Sequence, residues 1–273
     1  MPSVARKAGG HSTPTLTPAQ ARFRRVLLRW AATHGRHFFW RQPGVPVFEI
    51  LVTEVLLTRT RAEAVEPVAK RLLATYPDAA ALADAATDDV RNILYPLGLF
   101  RKRARALVAC ARALVEDHQG RVPRDVGALL RLPYVGRYAA CAVTCFAFGA
   151  RQAVIDANAA RVYGRAFGLP APPMDLATAD DLWGFGQQLV PLRRRREFNW
   201  AVLDLGGTIC TARSPACSSC PLADVCRAHA QGTCGCRPIA RVADPVGEAP
   251  PQPRVRQPAR RRPDVGRIGM RSS

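Results

Sequence analysis

The sequence lacks any apolar run long enough to cross a membrane. No stretch approaches the roughly 20 apolar residues of a membrane-spanning helix, and the N-terminus has no apolar signal core. We therefore expect a cytoplasmic protein without a membrane partner. Thiols stay reduced in that compartment, so the nine cysteines favour metal ligation over disulfide bonds.

Acidic residues are also scarce. The 273 residues include 40 Lys and Arg but only 21 Asp and Glu, which gives a formal net charge of +19. A surplus of this size predicts a polyanionic partner. The apolar fraction of 48% is ordinary, so the chain can bury a substantial core in one large domain or in two lobes.

Strand-like alternation is nearly absent, and helical periodicity takes its place. Thr17 before Pro18 predicts an N-cap and a helix that runs to about residue 33. Proline and glycine separate the later periodic segments, so we predict an all-α fold with short connections. The later helices are predicted at about 62–75, 78–85, 87–95, 101–118, 125–131, 137–147, 156–167, 178–190 and 196–209.

Four cysteines lie in one short window with the spacing Cys-x6-Cys-x2-Cys-x5-Cys. Four thiolates this close can enclose one soft metal centre, either a [4Fe–4S] cluster or a zinc ion. Three other cysteines lie in apolar helical segments and are expected to be packing residues. Cys234 and Cys236 follow the window and are predicted to be spare, with a secondary metal or redox role as the alternative. The window cysteines are Cys210, Cys217, Cys220 and Cys226, and the packing cysteines are Cys110, Cys141 and Cys145.

A tight turn joins two predicted helices at residues 132–137, which read Leu-Pro-Tyr-Val-Gly-Arg. The second helix opens at about Arg137, so the turn exposes backbone N–H groups at a helix N-terminus. These groups and the helix dipole favour an anion such as a DNA phosphate, and Arg137 adds a positive charge. Taken alone, this hairpin of about 125–147 is an ordinary corner between two helices.

Two carboxylates are candidates for chemistry. Asp156 follows two β-branched apolar residues and precedes a helix, so it can cap that helix and also aim a carboxylate at a ligand. Glu54 lies among the apolar residues of 50–57. If it is buried, its pKa is raised and it can act as a general acid near neutral pH. The alternative, a glutamate on the exposed edge of its helix, stays open from this feature alone.

The hairpin, Asp156 after its apolar pair and the cysteine window together resemble the helix-hairpin-helix base-excision DNA glycosylases of the endonuclease III superfamily, over roughly residues 22–230. The resemblance implies two α-helical lobes with a DNA cleft between them, and a [4Fe–4S] cluster rather than zinc. The implied segments are an N-terminal helix at 21–45, a six-helix barrel lobe at 46–155 and C-terminal helices with the cluster loop at 156–232. The flanks, 1–20 and the basic Pro- and Arg-rich 233–273, are predicted to be disordered.

The resemblance also implies roles for the site residues. Asp156 matches the family's catalytic aspartate, which stabilises the oxocarbenium-like sugar and helps to position the attacking water. Tyr138 stands where bifunctional members carry a lysine nucleophile, and a tyrosine cannot form a Schiff base. Glu54 is expected to hydrogen-bond or protonate the leaving base. The expected DNA contacts are Arg59 or Thr60 in the gap left by the extruded base, the hairpin residues Tyr134, Val135, Gly136 and Arg137, and Arg213 and Arg227 near the cluster.

Within the family, Glu54 with Tyr138 looks most like the thymine-mismatch branch. The expected activity is that of a monomeric, monofunctional, nucleoid-associated glycosylase acting on thymine or uracil opposite guanine in duplex DNA. Adenine-branch members typically have Ser at the tyrosine position and two Gln at Thr58 and Arg59, and usually carry a further C-terminal domain. The alternatives are an adenine glycosylase without that domain, a bifunctional pyrimidine-damage lyase and a non-catalytic Fe–S DNA-binding protein.

One hairpin position departs from the family pattern, which usually reads Leu-Pro-Gly-Val-Gly. Tyr134 replaces the first of these glycines. If the position needs a positive φ, a tyrosine there costs on the order of 1 kcal/mol. Gly136 is retained, so DNA binding at the hairpin is still expected.

Overall fold

The computed structural model describes residues 15–234, and in that range it contains α-helices, short 3-10 helices and no strand. This confirms the predicted all-α class. The α-helices are α1 (Pro18–His34), α2 (Val47–Leu57), α3 (Ala62–Thr75), α4 (Ala79–Ala83), α5 (Thr87–Leu94), α6 (Phe100–His118), α7 (Val126–Arg131), α8 (Arg137–Phe146), α9 (Ala157–Phe167), α10 (Asp180–Leu189), α11 (Arg195–Thr208) and α12 (Arg227–Ala230). The 3-10 helices are Phe39–Arg41, Leu176–Thr178, Cys217–Ser219 and Ala223–Val225.

Local sequence signals set the start of α1. The Gln20 N–H donates to the Thr17 hydroxyl oxygen at 3.2 Å, and the Thr17 N–H donates to Gln20 Oε1 at 2.9 Å. This reciprocal pair is a capping box, and Pro18 occupies the first helical position, where no N–H is needed. The N-cap predicted at Thr17 is therefore confirmed.

A first hydrophobic core lies among the helices from α2 to α8. Its fully buried side chains include Leu56, Leu72, Leu94 and Leu114. Helix α6 packs against α4 and α5, and α2 packs against α3 and α8. This packing brings the Glu54-bearing helix next to the second helix of the hairpin.

A second hydrophobic core joins α1 to α9, α10 and α11, with Phe23 and Tyr163 among its buried side chains. The two cores meet at α8, where Ala140 belongs to the first and Cys145 to the second. Tyr138 is half-buried and packs against both cores. The predicted lobe boundaries stay predictions, and most of the two predicted tails, at 1–14 and 235–273, lies outside the described residues.

Three cysteines are buried as predicted. Burial raises the pKa of the Cys110 and Cys145 thiols to about 12 and that of Cys141 to about 11. These thiols therefore stay protonated and act as small apolar packing groups. Between residues 15 and 234, no helix combines the length and the apolar character that a membrane span requires.

Candidate active site and metal centre

Glu54 is buried in α2, with only 1% of its surface exposed. Helix α2 is apolar on nearly all sides, so the carboxyl group lies in apolar surroundings. The pKa of Glu54 is raised to about 7, chiefly by burial: a hydrogen bond from Tyr138 and the charge of Arg41 lower it, and the charge of Asp156 adds to the rise. Near neutral pH the protonated and the ionised forms of Glu54 are therefore both populated.

Tyr138 lies in the first turn of α8, and its hydroxyl donates to Glu54 Oε2 at 3.0 Å. The two residues are 84 positions apart and meet because α2 packs against α8. Burial, and then the charge of Glu54, raise the pKa of Tyr138 well above its usual range. The hydroxyl thus stays protonated and acts as a donor to the carboxylate.

Asp156 caps α9, as the sequence predicted. Its Oδ1 accepts a hydrogen bond from the Ala159 N–H at 2.8 Å, and its Oδ2 accepts one from Asn158 Nδ2 at 2.8 Å. Burial raises the pKa of Asp156, and these hydrogen bonds oppose that rise. The Asp156 charge in turn raises the pKa of both Glu54 and Tyr138, so the three groups share one electrostatic site.

A buried and a half-buried side-chain amide hold the main chain that leads into Asp156. Asn199 on α11 accepts a hydrogen bond from the Val154 N–H at 2.9 Å, and Gln187 on α10 accepts one from the Ala153 N–H at 2.8 Å. Sequence reasoning missed both amides. The available signal was an asparagine within the otherwise apolar stretch of α11.

A buried charge network that the sequence did not predict lies beside Glu54. Asp204 on α11 is 1% exposed and accepts hydrogen bonds from Arg41 Nη1 at 2.8 Å, Arg41 Nη2 at 2.9 Å and Arg36 Nε at 2.7 Å. Burial opposes ionisation of Asp204, but the two arginines keep its pKa below its usual value. Arg36, Arg41 and Asp204 line a cavity of about 250 Å³ together with Trp200. Arg41 Nε is buried and has no hydrogen-bond partner among the described residues.

The predicted hairpin consists of α7, a turn at 132–136 and α8. Tyr134 has a φ of 63°, and Gly136 precedes α8 without a side-chain cap, which leaves the first N–H groups of α8 for an anion. Val135 does not fit the prediction, because its side chain is buried and its N–H donates to the Leu132 carbonyl at 3.2 Å. We therefore withdraw Val135 as a DNA contact.

Arg137 is already engaged within the protein. Its Nη1 donates to Asp180 Oδ1 at 2.6 Å and to the Ala177 carbonyl at 2.8 Å. Its guanidinium carbon lies 4.5 Å from the ring centroid of Trp183. The charge of Arg137 is thus less available to a phosphate than the sequence suggested.

The turn after α2 presents one of its two predicted DNA contacts to solvent. Arg59 is exposed and has a φ of 59°. Thr60, by contrast, accepts a hydrogen bond from Arg103 Nη2, which also donates to the Thr58 carbonyl at 2.7 Å. Arg103 is buried, so it anchors the turn to α6 and leaves Arg59 as the better candidate to fill a gap in DNA.

The four window cysteines face one another. Burial and then the neighbouring Cys210 and Cys226 raise the pKa of the Cys217 thiol, and burial raises that of Cys220 to about 11, with its cysteine neighbours adding to the rise. Four thiol sulfurs that influence one another in this way form a soft donor set, which suits an iron-sulfur cluster.

The surroundings of Cys217 differ from the prediction. Cys217, His229 and Cys234 bring their ligand atoms within 4.8 Å of one another, and Cys234 is buried. Cys234 is therefore buried against the window, close to two groups that can ligate a metal, and its role stays a prediction. Cys236 lies outside the described residues.

A series of hydrogen bonds joins Asp156 to the cysteine window. Asn158, which donates to Asp156, accepts from Arg161 Nη2 at 2.8 Å, and Arg161 Nε donates to the Cys210 carbonyl at 2.7 Å. One turn later on α9, Arg165 Nη1 lies 3.5 Å from Cys210 Sγ. Helix α9 therefore carries the candidate catalytic carboxylate at its start and fixes the first cysteine along its length.

Two exposed arginines lie in or next to the cysteine window. Arg213 lies between the first two cysteines, and Arg227 follows the fourth. The Arg227 side chain packs over Gly168, where a Cβ would lie 2.6 Å from Arg227 Cδ. Their contact with DNA stays a prediction.

The family model for HhH-GPD superfamily base excision DNA repair proteins matches residues 52–188, and that for the iron-sulfur binding domain of endonuclease III matches residues 210–226. The chain is 38% identical over 206 residues to a thymine/uracil-DNA glycosylase of Pyrobaculum aerophilum, covering 74% of this chain and 89% of that protein. It is 39% identical over 207 residues to an adenine DNA glycosylase of Mycolicibacterium smegmatis, covering 76% of this chain and 69% of that protein. The solved structure of a thermostable thymine-DNA glycosylase superposes with a TM-score of 0.72 at 32% identity, covering 78% of this chain and 97% of that one.

These matches confirm two expectations. The all-α fold with its helical hairpin is that of the compared structure. The iron-sulfur match begins at Cys210 and ends at Cys226, so this segment of the chain binds a [4Fe–4S] cluster, with the four window cysteines as its predicted ligands.

Proposed function

Because the chain belongs to the HhH-GPD superfamily of base excision DNA repair proteins, we propose that it is a monofunctional DNA glycosylase for thymine or uracil opposite guanine. It acts as a monomer on duplex DNA and hydrolyses the bond between the base and C1′ of the deoxyribose. The observation that carries this proposal is the 3.0 Å hydrogen bond from the Tyr138 hydroxyl to Glu54, in a buried site that also holds Asp156.

Glu54 supplies the proton for the departing base. Its pKa of about 7 leaves a substantial protonated fraction at neutral pH, and a buried acid of this kind can donate to a carbonyl oxygen of thymine or uracil. Proton donation lowers the charge that builds up on the base as the bond to C1′ breaks. Tyr138 holds the carboxyl group in place through its hydroxyl.

Asp156 supplies the negative charge for the sugar. Its two oxygens are fixed by the Ala159 N–H and by Asn158, so the carboxylate is oriented before the substrate arrives. A preorganised carboxylate stabilises the positive charge that develops at C1′. Water then adds to C1′, its proton passes to a carboxylate, and the products are the free base and an abasic site.

Tyr138 also limits the reaction to hydrolysis. A bifunctional glycosylase needs an amine that attacks C1′ and forms a Schiff base. Tyr138 offers a phenol whose pKa lies well above its usual range, so it remains a neutral hydrogen-bond donor. Cys210, Cys217, Cys220 and Cys226 would hold the cluster, and its ligation would contribute to the folding of the last part of the described chain.

A second candidate is adenine excision, and the 39% identity to an adenine DNA glycosylase favours it. We place the pyrimidine proposal first because the chain covers 89% of a thymine/uracil-DNA glycosylase at 38% identity but 69% of the adenine enzyme.

A single-turnover assay on labelled duplexes tests the proposal. The panel contains T:G, U:G, A:G, A:8-oxoguanine and a thymine-glycol duplex, each analysed with and without hot alkali. We expect base release from T:G and U:G. Release of adenine instead would favour the second candidate, and binding without release from any duplex would favour a non-catalytic DNA-binding protein.

A further inference from the structure

The last described turn of the chain returns to the cysteine window. Helix α12 begins directly after Cys226, and the turn behind it is closed by a hydrogen bond from the Thr233 N–H to the Ala228 carbonyl at 2.8 Å. Gly232 lies in this turn with a φ of 67°, a conformation that glycine enters without cost. The chain therefore reverses direction after α12 and brings Cys234 back towards the cysteines that precede the helix.

Cys234 ends this turn inside the protein. Its side chain is 2% exposed, and its sulfur, the sulfur of Cys217 and a ring nitrogen of His229 all lie within 4.8 Å of one another. Two sulfurs that bind one metal atom through bonds of about 2.3 Å are at most about 4.6 Å apart. Small rotations of the two cysteine side chains would therefore let either sulfur reach the same metal atom.

Cys217 differs from two other window cysteines in its contacts. Arg165 Nη1 lies 3.5 Å from Cys210 Sγ, and Cys226 Sγ lies 3.5 Å from the Arg165 carbonyl. Cys217 lies instead at the start of a three-residue 3-10 helix, beside α12 and Cys234. The iron atom assigned to Cys217 is thus the one that has a further thiolate source next to it.

The oxidation state of Cys234 decides whether its sulfur can ligate. In the structure Cys234 is disulfide-bonded, and a disulfide sulfur is not the thiolate that binds iron. A dithiol reductant supplies the two electrons and two protons that convert a disulfide into two thiols. In the reduced protein, Cys234 therefore adds a fifth thiol beside the four of the window.

We propose that Cys234 is a reserve ligand of the iron-sulfur cluster, which in the reduced protein takes over the iron atom of Cys217. In this exchange the bond from Cys217 Sγ to iron breaks and one from Cys234 Sγ forms. The proton of the Cys234 thiol passes to the Cys217 thiolate, so the charge of the site is unchanged and no electron is transferred. The proposal goes beyond the proposed function and does not depend on which base the protein releases.

The test is the iron content and visible absorbance of variants that are purified without oxygen in the presence of a dithiol. We expect Cys217→Ala to keep most of the iron of the wild type, because Cys234 replaces the missing ligand. The double variant Cys217→Ala with Cys234→Ala should contain about threefold less iron or lower still, since only three window thiols remain. Equal iron contents in the single and the double variant would overturn the proposal.

Two further double variants sharpen the comparison. Cys217→Ala with Cys110→Ala is the matched control, because Cys110 is buried in the first core, and it should contain as much iron as Cys217→Ala. Cys217→Ala with His229→Ala should also keep its iron. Loss of iron in this His229 variant, with iron kept in the Cys234 variant, would assign the reserve role to the imidazole and overturn the proposal.

A second measurement applies if Cys217→Ala does not fold. Cys234→Ala keeps all four window cysteines, and its iron is followed as it passes to a ferrous-iron chelator in the presence of the dithiol. We expect Cys234→Ala to lose iron about threefold faster than the wild type, because an iron atom released by Cys217 is no longer recaptured. An unchanged rate of loss would overturn the proposal.

Discussion

At the scale of single residues, Glu54 sets the response to pH. Its raised pKa of about 7 means that the protonated form, which donates to the leaving base, is lost as the pH rises through neutrality. As far as Glu54 determines it, the single-turnover rate should be constant below about pH 6 and should fall above pH 7. Glu54→Gln should slow base release by a factor of roughly 10² to 10⁴. It should also abolish the fall in rate above pH 7, which is the descending limb of the pH–rate profile. A rate that rises with pH across this range would contradict the acid role.

The same residue affects stability in a predictable direction. Because the folded-state pKa of Glu54 lies above the ordinary value of 4.5, the neutral form is favoured by folding. The stabilisation of the folded state by the neutral form of Glu54 is complete below about pH 4.5 and is lost as the pH rises through about 7. At pH 8 the wild type buries a charge that Glu54→Gln does not, so the variant should be more stable by on the order of 3 kcal/mol.

This difference should shrink towards zero at pH 5, and urea unfolding at the two pH values measures it. Glu116→Gln is the control, because Glu116 is exposed on α6 and its replacement should change stability little at either pH. Equal effects of Glu54→Gln at pH 5 and pH 8 would mean that the carboxyl group is not buried in solution.

Tyr138 tunes Glu54 through the hydrogen bond that lowers the pKa of the carboxyl group. Tyr138→Phe removes that bond, so we expect the descending limb of the pH–rate profile to move to higher pH. Tyr163→Phe is a matched control, because the Tyr163 hydroxyl is buried without a partner among the described residues. It should leave the limb in place and not lower stability. An unmoved limb in Tyr138→Phe would show that the two side chains do not interact in the active enzyme.

Residues with a local motif could be predicted from the sequence, whereas those defined by a distant partner could not. Asp156 stands before a helix start, and Glu54 stands out in an apolar segment, so each carries its own signal. Arg41 and Asp204 do not, because they are 163 positions apart and ordinary until the fold joins them. The positive φ of Tyr134 was predictable, since a glycine usually stands there in the resembling family.

At the scale of helices, boundaries were predictable where capping residues mark them. The predicted segment 62–75 is α3, and Asp125 and Asp156 cap α7 and α9 through their side chains. Helix α4 is shorter than predicted, at Ala79–Ala83 rather than 78–85, because Asp78 is its cap and not its first residue. The 3-10 helices were not predicted, since three residues are too few to produce a periodic pattern.

Helix α9 connects the candidate catalytic carboxylate with the cluster, and Arg161 is the residue that joins them. Arg161→Lys keeps the charge but loses the planar set of donors that reaches Asn158, Gly206 and Cys210 together. We expect less iron and less visible absorbance per protein molecule, and a base-release rate lower by about tenfold or more, because a small displacement of a positioned group is costly.

Arg112→Lys serves as the matched control. Arg112 is exposed on α6 and donates to the Ala83 carbonyl at the end of α4 at 3.0 Å, and it contacts neither the window cysteines nor the two carboxylates. The Arg112→Lys protein should contain as much iron as the wild type and release base at the same rate. A fully loaded Arg161→Lys protein with an unchanged rate would contradict the proposed connection through α9.

At the scale of the whole molecule, two cores share one helix, and the candidate site lies where they meet. Tyr138 packs against both cores, Glu54 comes from the helix set of the first and Asp156 from that of the second. The sequence predicted two lobes through a family resemblance, but it gave no means to see that α8 contributes to both cores. That sharing explains why carboxylates about a hundred positions apart act in one electrostatic environment.

Monofunctional base excision with Asp156 as the sugar-stabilising carboxylate is tested most directly by single-turnover cleavage of a labelled U:G duplex by the wild type and by Asp156→Asn, read before and after hot alkali. We expect the wild-type product strand to stay intact until alkali cleaves the abasic site. We expect Asp156→Asn to bind the duplex but to release base at least a hundredfold more slowly. Strand cleavage without alkali, or an unchanged rate in Asp156→Asn, would contradict it.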